Sequence, residues 1–295
     1  MGRGPHARRL KYGTRRKLFA FLCVLPWLIG FLVFTLRPLI DTVIYSFSIT
    51  GFHPSGAIEL QPNGWANYNQ AFNVDRDFRL AMYDYLEQIV FIGTGVVIYA
   101  LLIAMLLNHS FKGRGFFRMM FFLPVVLMQG PLMGMMTANG SMSVSGVSEM
   151  FVFRFIETYL PKFLSYPILY MINHFTECIW HCGVQIMVCL VGLQRMDSST
   201  YEAACIDGAS SWQIFWKITL PLSRPFLLIS ALYTVIDLST LGSNAFMKII
   251  VDNMFYKGSG MGYSAAVTCM YFLLILLMVG VVMLIFGGFG KRRRL

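Results

Sequence analysis

Long apolar runs alternate with short polar breaks along the whole chain. The runs fill about 18–46, 85–107, 117–138, 168–192, 225–247 and 265–288. Each is near the roughly 20 residues a helix needs to cross a bilayer. The pattern predicts an all-α membrane protein with six transmembrane helices. The first run is too long for a signal-peptide core, and no small-residue cleavage site follows promptly, so it reads as a span interrupted near Arg37-Pro38. Arg37 and Asp41, four apart, are spaced to pair. Residues 50–83 are polar and read as an outer loop, with Trp65, Asn67, Tyr68 and Phe72 in it. Residues 139–165 read as a second outer loop with a short interfacial helix.

One polar stretch, residues 201–221, reads YEAACIDGASSWQIFWKITLP and separates two apolar runs. It predicts two short helices joined at Gly208. Ser199 and Glu202 have capping-box spacing for the first helix, and Ser210 and Gln213 repeat it for the second. Pro221 is expected to stop the second helix. Trp212, Phe215, Trp216 and Thr219 fall three and four apart and predict a bulky apolar face. A capped, bent hairpin of this kind needs something to press against.

Composition agrees with a bilayer. The 295 residues are 57% hydrophobic and 13% charged, against about 25% charged in soluble domains. The net charge of +10 does not indicate nucleic acid, because the basic residues gather at the ends of the apolar runs and act as topology signals. With six spans, seven Lys and Arg in the N-terminal tail, four in the C-terminal tail and six in loops fall inside, and seven fall outside. Both termini and the 201–221 stretch are then cytoplasmic. The organisation is a basic tail (1–17), a membrane domain (18–288) containing the 195–224 loop, and a basic tail (289–295). The six cysteines lie mostly in spans or in that loop and do not form a secreted disulfide framework.

The 201–221 stretch resembles the EAA loop of binding-protein-dependent ABC importer permeases, of the sugar type. The residues carrying the match are Glu202, Ala203 and Ala204; Asp207, Gly208 and Ala209; Phe215; and Ile218, Thr219, Leu220 and Pro221. FFRMMFFLP at 116–124, the run from Trp180 through Gly183 to Gly192-Leu193-Gln194, and Gly262-Tyr263-Ser264-Ala265-Ala266 are also similar to that family. Two departures stand out. Asp197 occupies the place of the family's usual proline, and the Thr-Gly-Gly-Pro run that often follows span five is absent. The resemblance implies a type I ABC importer permease bundle with cytoplasmic coupling helices in a bacterial plasma membrane. It implies as partners two ATPase subunits, a second permease chain and an extracellular solute-binding protein. Glu202, Ala203, Ala204, Asp207, Gly208, Ala209, Phe215, Leu220 and Pro221 would then meet the ATPase.

The chain itself carries no Walker A motif, since Gly290-Lys291 is followed by Arg292 without a glycine-rich cradle. No nucleophile–base constellation stands out. The chain is therefore expected not to be an enzyme and to hold no cofactor, with ATP and Mg bound by the partner ATPases. Ionisable groups inside spans are functional candidates because lipid disfavours them. Asn173, Glu177 and Trp180 share a face of span four, and Tyr233, Asp237, Thr240 and Asn244 share one of span five. Glu177, Trp180, Tyr233, Asp237 and Asn244 are the candidate substrate contacts; the alternative is polar glue between helices. His174, Cys178, His181 and Gln185 lie on a neighbouring face, but a single helix offers few ligands in tetrahedral geometry, so no metal site is expected. The function expected is import of a sugar or oligosaccharide. Alternatives are import of a polyol or of a glycerol phosphate, the phosphate ester being disfavoured because Arg37 is the only basic residue well within a span, and ion-coupled secondary transport through Glu177 and Asp237.

Overall fold

The structure, a computed structural model, describes residues 12–52, 58–127, 155–156, 158–241, 244–255 and 260–287. Helix α1 (Tyr12–Phe31) runs through a widened π turn (Leu32–Leu36) into α2 (Arg37–Ser46). Strands β1 (Ser48–Phe52) and β2 (Ile58–Pro62) form an antiparallel hairpin with Thr50 opposite Leu60. Then come α3 (Ala66–Asn69), α4 (Arg76–Gln88), α5 (Thr94–Asn108) and α6 (Arg114–Leu127). A broken span follows as α7 (Lys162–Asn173), α8 (Phe175–His181) and α9 (Gly183–Gln194). The polar hairpin is α10 (Ser198–Ile206) and α11 (Ser211–Ile214), and the chain ends in α12 (Leu220–Thr240), α13 (Ala245–Phe255) and α14 (Gly260–Gly287).

Among the described residues, four helical stretches are long and apolar enough to cross a bilayer: Phe19–Ser46, Arg76–Asn108, Ser211–Phe255 and Gly260–Gly287. The α8–α9 pair, bent by 60°, makes a fifth. Of the predicted 117–138 span only the part within α6 is described, and most of the 139–165 loop lies outside the described residues. The predicted outer loop at 50–83 is corrected. It holds the β-hairpin, α3 and most of α4, which continues through a π turn (Ile89–Gly93) into α5 as one 33-residue helix. Loop-like composition misled here because Phe78, Ala81 and Tyr85 are buried at helical spacing beneath a polar outer face. Arg37 and Asp41 form no ion pair among the described residues.

The core lies where α4–α5, α9, α12 and α13 meet. Phe78, Ile92, Val96, Ile186, Leu238 and Phe246 are each at most 2% exposed there. The α1 end of the first span stands apart while α2 packs along α14: the apolar window of Phe19–Ser46 is 0% buried, with Trp27 and Phe34 facing outward. In water such a surface would be a liability, whereas lipid tails cover it without cost.

The β-hairpin is tied down by polar groups. Asn67 donates from its amide to the carbonyls of Ser46 and Ser48, both at 3.0 Å, and Gly262 donates its backbone N–H to Thr50 Oγ1 at 2.9 Å. At Gly262 a Cβ would meet the Ser48 carbonyl oxygen at 2.1 Å. That neighbour is backbone and cannot rotate away. Gly262→Ala therefore overpacks the α14–hairpin contact and costs about 1–3 kcal/mol. At Gly280, in the same helix, nothing lies within 4 Å. In thermal unfolding of the purified protein in nanodiscs, Gly262→Ala should lower the midpoint and Gly280→Ala should not. Equal midpoints would refute the close approach.

Candidate functional site

Two places concentrate polar chemistry: the hairpin at 198–219 and a cavity beside the broken span. The hairpin begins differently from the sequence expectation. Asp197, not Ser199, is the N-cap of α10; its carboxylate accepts the Ser199 amide at 3.1 Å. That backbone bond holds the Asp197 carboxyl below its ordinary pKa. Its stabilisation is present above the ordinary aspartate pKa and is lost as pH falls through the lowered value. An aspartate is among the strongest cap residues, so the chain starts α10 two residues earlier than the Ser199–Glu202 spacing suggests. Glu202 is consequently exposed and makes no side-chain hydrogen bond among the described residues.

Gly208 joins the two helices at φ +77, a left-handed conformation that glycine adopts without steric cost. The second capping box forms as the spacing predicts: Gln213 N donates to Ser210 Oγ at 3.3 Å, and Ser210 N donates to Gln213 Oε1 at 3.0 Å. Pro221 does not end this helix. Residues 215–219 widen into a π turn and the chain continues into α12. Proline cannot donate to the carbonyl four residues back, here Lys217, and a π turn re-registers the hydrogen-bond ladder around that gap. The extra residue in the turn also splits the predicted aromatic face. Trp212 (70% exposed) and Trp216 point outward, Phe215 packs on the core, and Thr219 is buried. Ile206, 87% exposed, adds to the outward surface. The Tyr201 hydroxyl lies 3.0 Å from Met196 Sδ and 3.2 Å from Thr219 Oγ1, fastening α10 to the base of α12.

Above the hairpin, α8 and α9 share a ladder of polar contacts with α12. His181 Nδ1 meets Asp237 Oδ2 at 2.8 Å, Gln185 donates to Thr234 Oγ1 at 2.9 Å, and Cys189 Sγ lies 3.4 Å from Ser230 Oγ. Gln185 and Cys189 are four apart on α9, and Ser230, Thr234 and Asp237 are four and three apart on α12, so these groups line facing stripes, while His181 joins from the end of α8 across the break at Cys182. Helices also approach closely here, since a Cβ at Gly192 would meet the Phe226 ring at 2.4 Å. The predicted straight span four is corrected: it breaks at His174 and again at Cys182. Asn173 is thereby on a different helix from Glu177 and Trp180.

The breaks open a cavity of about 270 Å³ lined by Asp84, Tyr85, Gln88, Ile92, Tyr170, His174, Glu177, Asn244 and Ala245. Glu177 accepts from Gln88 at 3.3 Å, its other oxygen lies 2.9 Å from His174 Nδ1, and the His174 ring stacks on Tyr170 at 4.4 Å. Of the five candidate substrate contacts, Glu177 and Asn244 line this cavity. Asn244 also caps α13, accepting the Phe246 amide at 3.0 Å and donating to Tyr271 Oη at 3.0 Å. Trp180, Tyr233 and Asp237 are not among its lining residues, and Asp237 turns to His181 instead. His174, Cys178, His181 and Gln185 do not converge: they go to Glu177, a buried apolar site, Asp237 and Thr234 respectively.

Sequence reasoning missed Asp84, Gln88 and Tyr170. The first two lie one helical turn apart, a signal that was present but sat across the assumed loop–span boundary at 83–85. Tyr170 lies seven residues before Glu177, a helical-face spacing that was also a signal.

Comparison with known proteins places this architecture. The chain is 27% identical over 267 residues to the probable ABC transporter permease protein YesP of Bacillus subtilis, covering 88% of this chain and 80% of that one. It is 26% identical to the trehalose/maltose transport system permease protein MalF of Thermococcus litoralis, covering 91% and 92%. The fold matches a chain in the crystal structure of a bacterial ABC transporter involved in the import of the acidic polysaccharide alginate, with TM-score 0.61, 17% identity, and coverage of 94% and 98%. Residues 89–292, including the hairpin, the broken span and α14, match one family model, and the chain belongs to the binding-protein-dependent transport system inner membrane components.

Proposed function

We propose that the chain is the membrane-spanning subunit of an ATP-driven importer for a sugar or short oligosaccharide, handed over by an extracellular binding protein. The cavity beside the broken span is the observation that carries the sugar half. The stacked Tyr170 and His174 rings supply an aromatic wall, while Gln88, Asp84 and Glu177 offer amide and carboxylate partners to hydroxyl groups. The printed names of relatives support it: one is a multiple sugar-binding transport system permease of Streptococcus mutans and another an arabinooligosaccharides transport system permease of Bacillus subtilis. A solved neighbour was captured with an alginate-bound periplasmic protein, which supports a binding-protein partner.

In this reading six spans cross the membrane with both termini cytoplasmic, and α10 and α11 are coupling helices. Glu202, Ala203, Ala204, Asp207, Gly208 and Ala209 meet one of two ATPase subunits, which hold the ATP and Mg, while Phe215, Leu220 and Pro221 pass the movement into α12. A second permease chain completes the pathway. Ligand-driven switching requires contacts that differ between two states. The exposed Ile206–Trp212 surface, fastened to α12 through Tyr201–Thr219, is such a lever. The test is purification of the assembly from native membrane, identification of the co-purifying chains, and uptake into proteoliposomes of labelled maltotriose and arabinotriose. ATP-dependent uptake is the expected result. Uptake by the chain alone, driven by an ion gradient with no ATPase present, would overturn the reading.

A further inference from the structure

The sugar-sized cavity has a neighbour. A second cavity of about 350 Å³ is lined by Asp77, Leu80, Ala81, Asp84, Ala245, Lys248, Ile249 and Asp252. Asp84 and Ala245 belong to both walls. The two cavities adjoin along α4 and α13 and lead toward Glu177 at the break in the span.

Their charges are unbalanced. Asp84, Asp252 and Glu177 line the pair against one lysine, Lys248, and Asp77, which has a partner of its own, lies at the outer wall. Asp84 and Asp252 make no side-chain hydrogen bond or ion pair among the described residues. Asp84 is exposed and lines both cavities. Glu177 shares its charge with His174 and Gln88. No arginine lines either cavity among the described residues, so neither offers the bidentate fork that recognises carboxylates and phosphates. Clefts lined by one sign of charge with low-dielectric walls focus the field and repel solutes of the same sign.

We propose that this paired cavity selects cargo by charge, passing neutral and amino sugars and turning away uronates and sugar phosphates, with Asp84 the specificity-determining residue at the junction. The proposal rests on the sugar-import reading for its cargo, but the field itself can be read without any cargo. The variant Ala245→Cys places a thiol on the wall common to both cavities with a minimal change of volume. In the purified assembly in nanodiscs, that thiol is modified in separate reactions with a cationic trimethylammonium-ethyl and an anionic sulfonatoethyl methanethiosulfonate, and rates are followed by peptide mass spectrometry. The ratio of the two rates cancels the thiol's own reactivity. Free 2-mercaptoethanol, a neutral thiol modified in the same buffer, is the reference.

The cation-to-anion ratio at position 245 should exceed that of the free thiol by about tenfold or more. It should collapse toward the reference in Asp84→Asn and in 1 M salt, where the screening length falls to about 3 Å. A ratio at or below the reference, or one that Asp84→Asn leaves unchanged, overturns the filter. If Ala245→Cys does not assemble, Gln88→Cys reads the same field from the inner cavity. Uptake separates the two levels. A flat ratio in an assembly that still imports maltotriose removes the filter alone. A high ratio in an assembly that imports no sugar keeps the filter and removes the sugar reading. Faster ATP-dependent uptake of trigalacturonate than of chitosan trisaccharide or maltotriose also overturns the filter.

Discussion

Gly208→Pro should abolish ATP-driven uptake while leaving the chain inserted in the membrane. Gly208 sits at φ +77, and proline holds φ near −65. A Cβ at this position would meet nothing within 4 Å, so the defect is one of backbone conformation and not of space. Forcing the turn open costs about 3 kcal/mol or more, which is a hundredfold or greater loss in the population of the native hairpin. Gly208→Ala, which only has to tolerate the left-handed region, should cost about 1–2 kcal/mol and retain partial uptake. Glu202→Lys tests the same surface without touching the turn. Glu202 is exposed and unbonded among the described residues, so thermal stability should change by no more than about 0.5 kcal/mol. Uptake and cargo-stimulated ATP hydrolysis should nevertheless fall at least about tenfold, the effect of losing roughly 1.4 kcal/mol at a docking contact. Normal uptake by both Gly208→Pro and Glu202→Lys would sink the idea that this hairpin receives force from an ATPase.

The second large effect is expected where α8 meets α12. His181 is 7% exposed at its side chain and Asp237 is 25% exposed, at 2.8 Å. His181→Ala strands a carboxylate inside the span. Breaking a fully buried pair costs about 3–5 kcal/mol; because water reaches a quarter of Asp237, about 1–3 kcal/mol is expected. The loss should appear as a lower unfolding midpoint and as looser coupling between the bent span and α12. Asp237→Ala in the same background should restore part of it, because the stranded charge is then gone. Double-mutant cycles on contacting residues give interaction energies of about 0.5–3 kcal/mol. Strict additivity of the two single substitutions would mean that the pair does not bind α8 to α12.

The ladder and the cavity show where sequence reasoning stops. His181 and Asp237 were both conspicuous as ionisable groups in apolar runs. Their pairing was not legible, because they are 56 residues apart and meet only after the chain bends by 60°. Helical spacing grouped His181 with His174, Cys178 and Gln185 on one continuous face, and the breaks at His174 and Cys182 turn those groups toward different neighbours. Pro221 shows the converse. Its local meaning is that a backbone donor is missing, which is a stop signal in a regular helix. A π turn beside it absorbs the defect and lets residues 211–240 run on into the membrane.

Sequence alone determined the class of molecule, because the length of an apolar run and the spacing of caps act through neighbours along the chain. The apolar runs, the Gly208 turn and the Ser210–Gln213 cap are all of this local kind. The tertiary structure alone decided which carboxylate meets which histidine, that Asp84 and Glu177 share a pair of adjoining cavities, and which aromatic rings of the hairpin face outward. Those outcomes depend on crossing positions and bends between helices, and no periodicity within one helix encodes them.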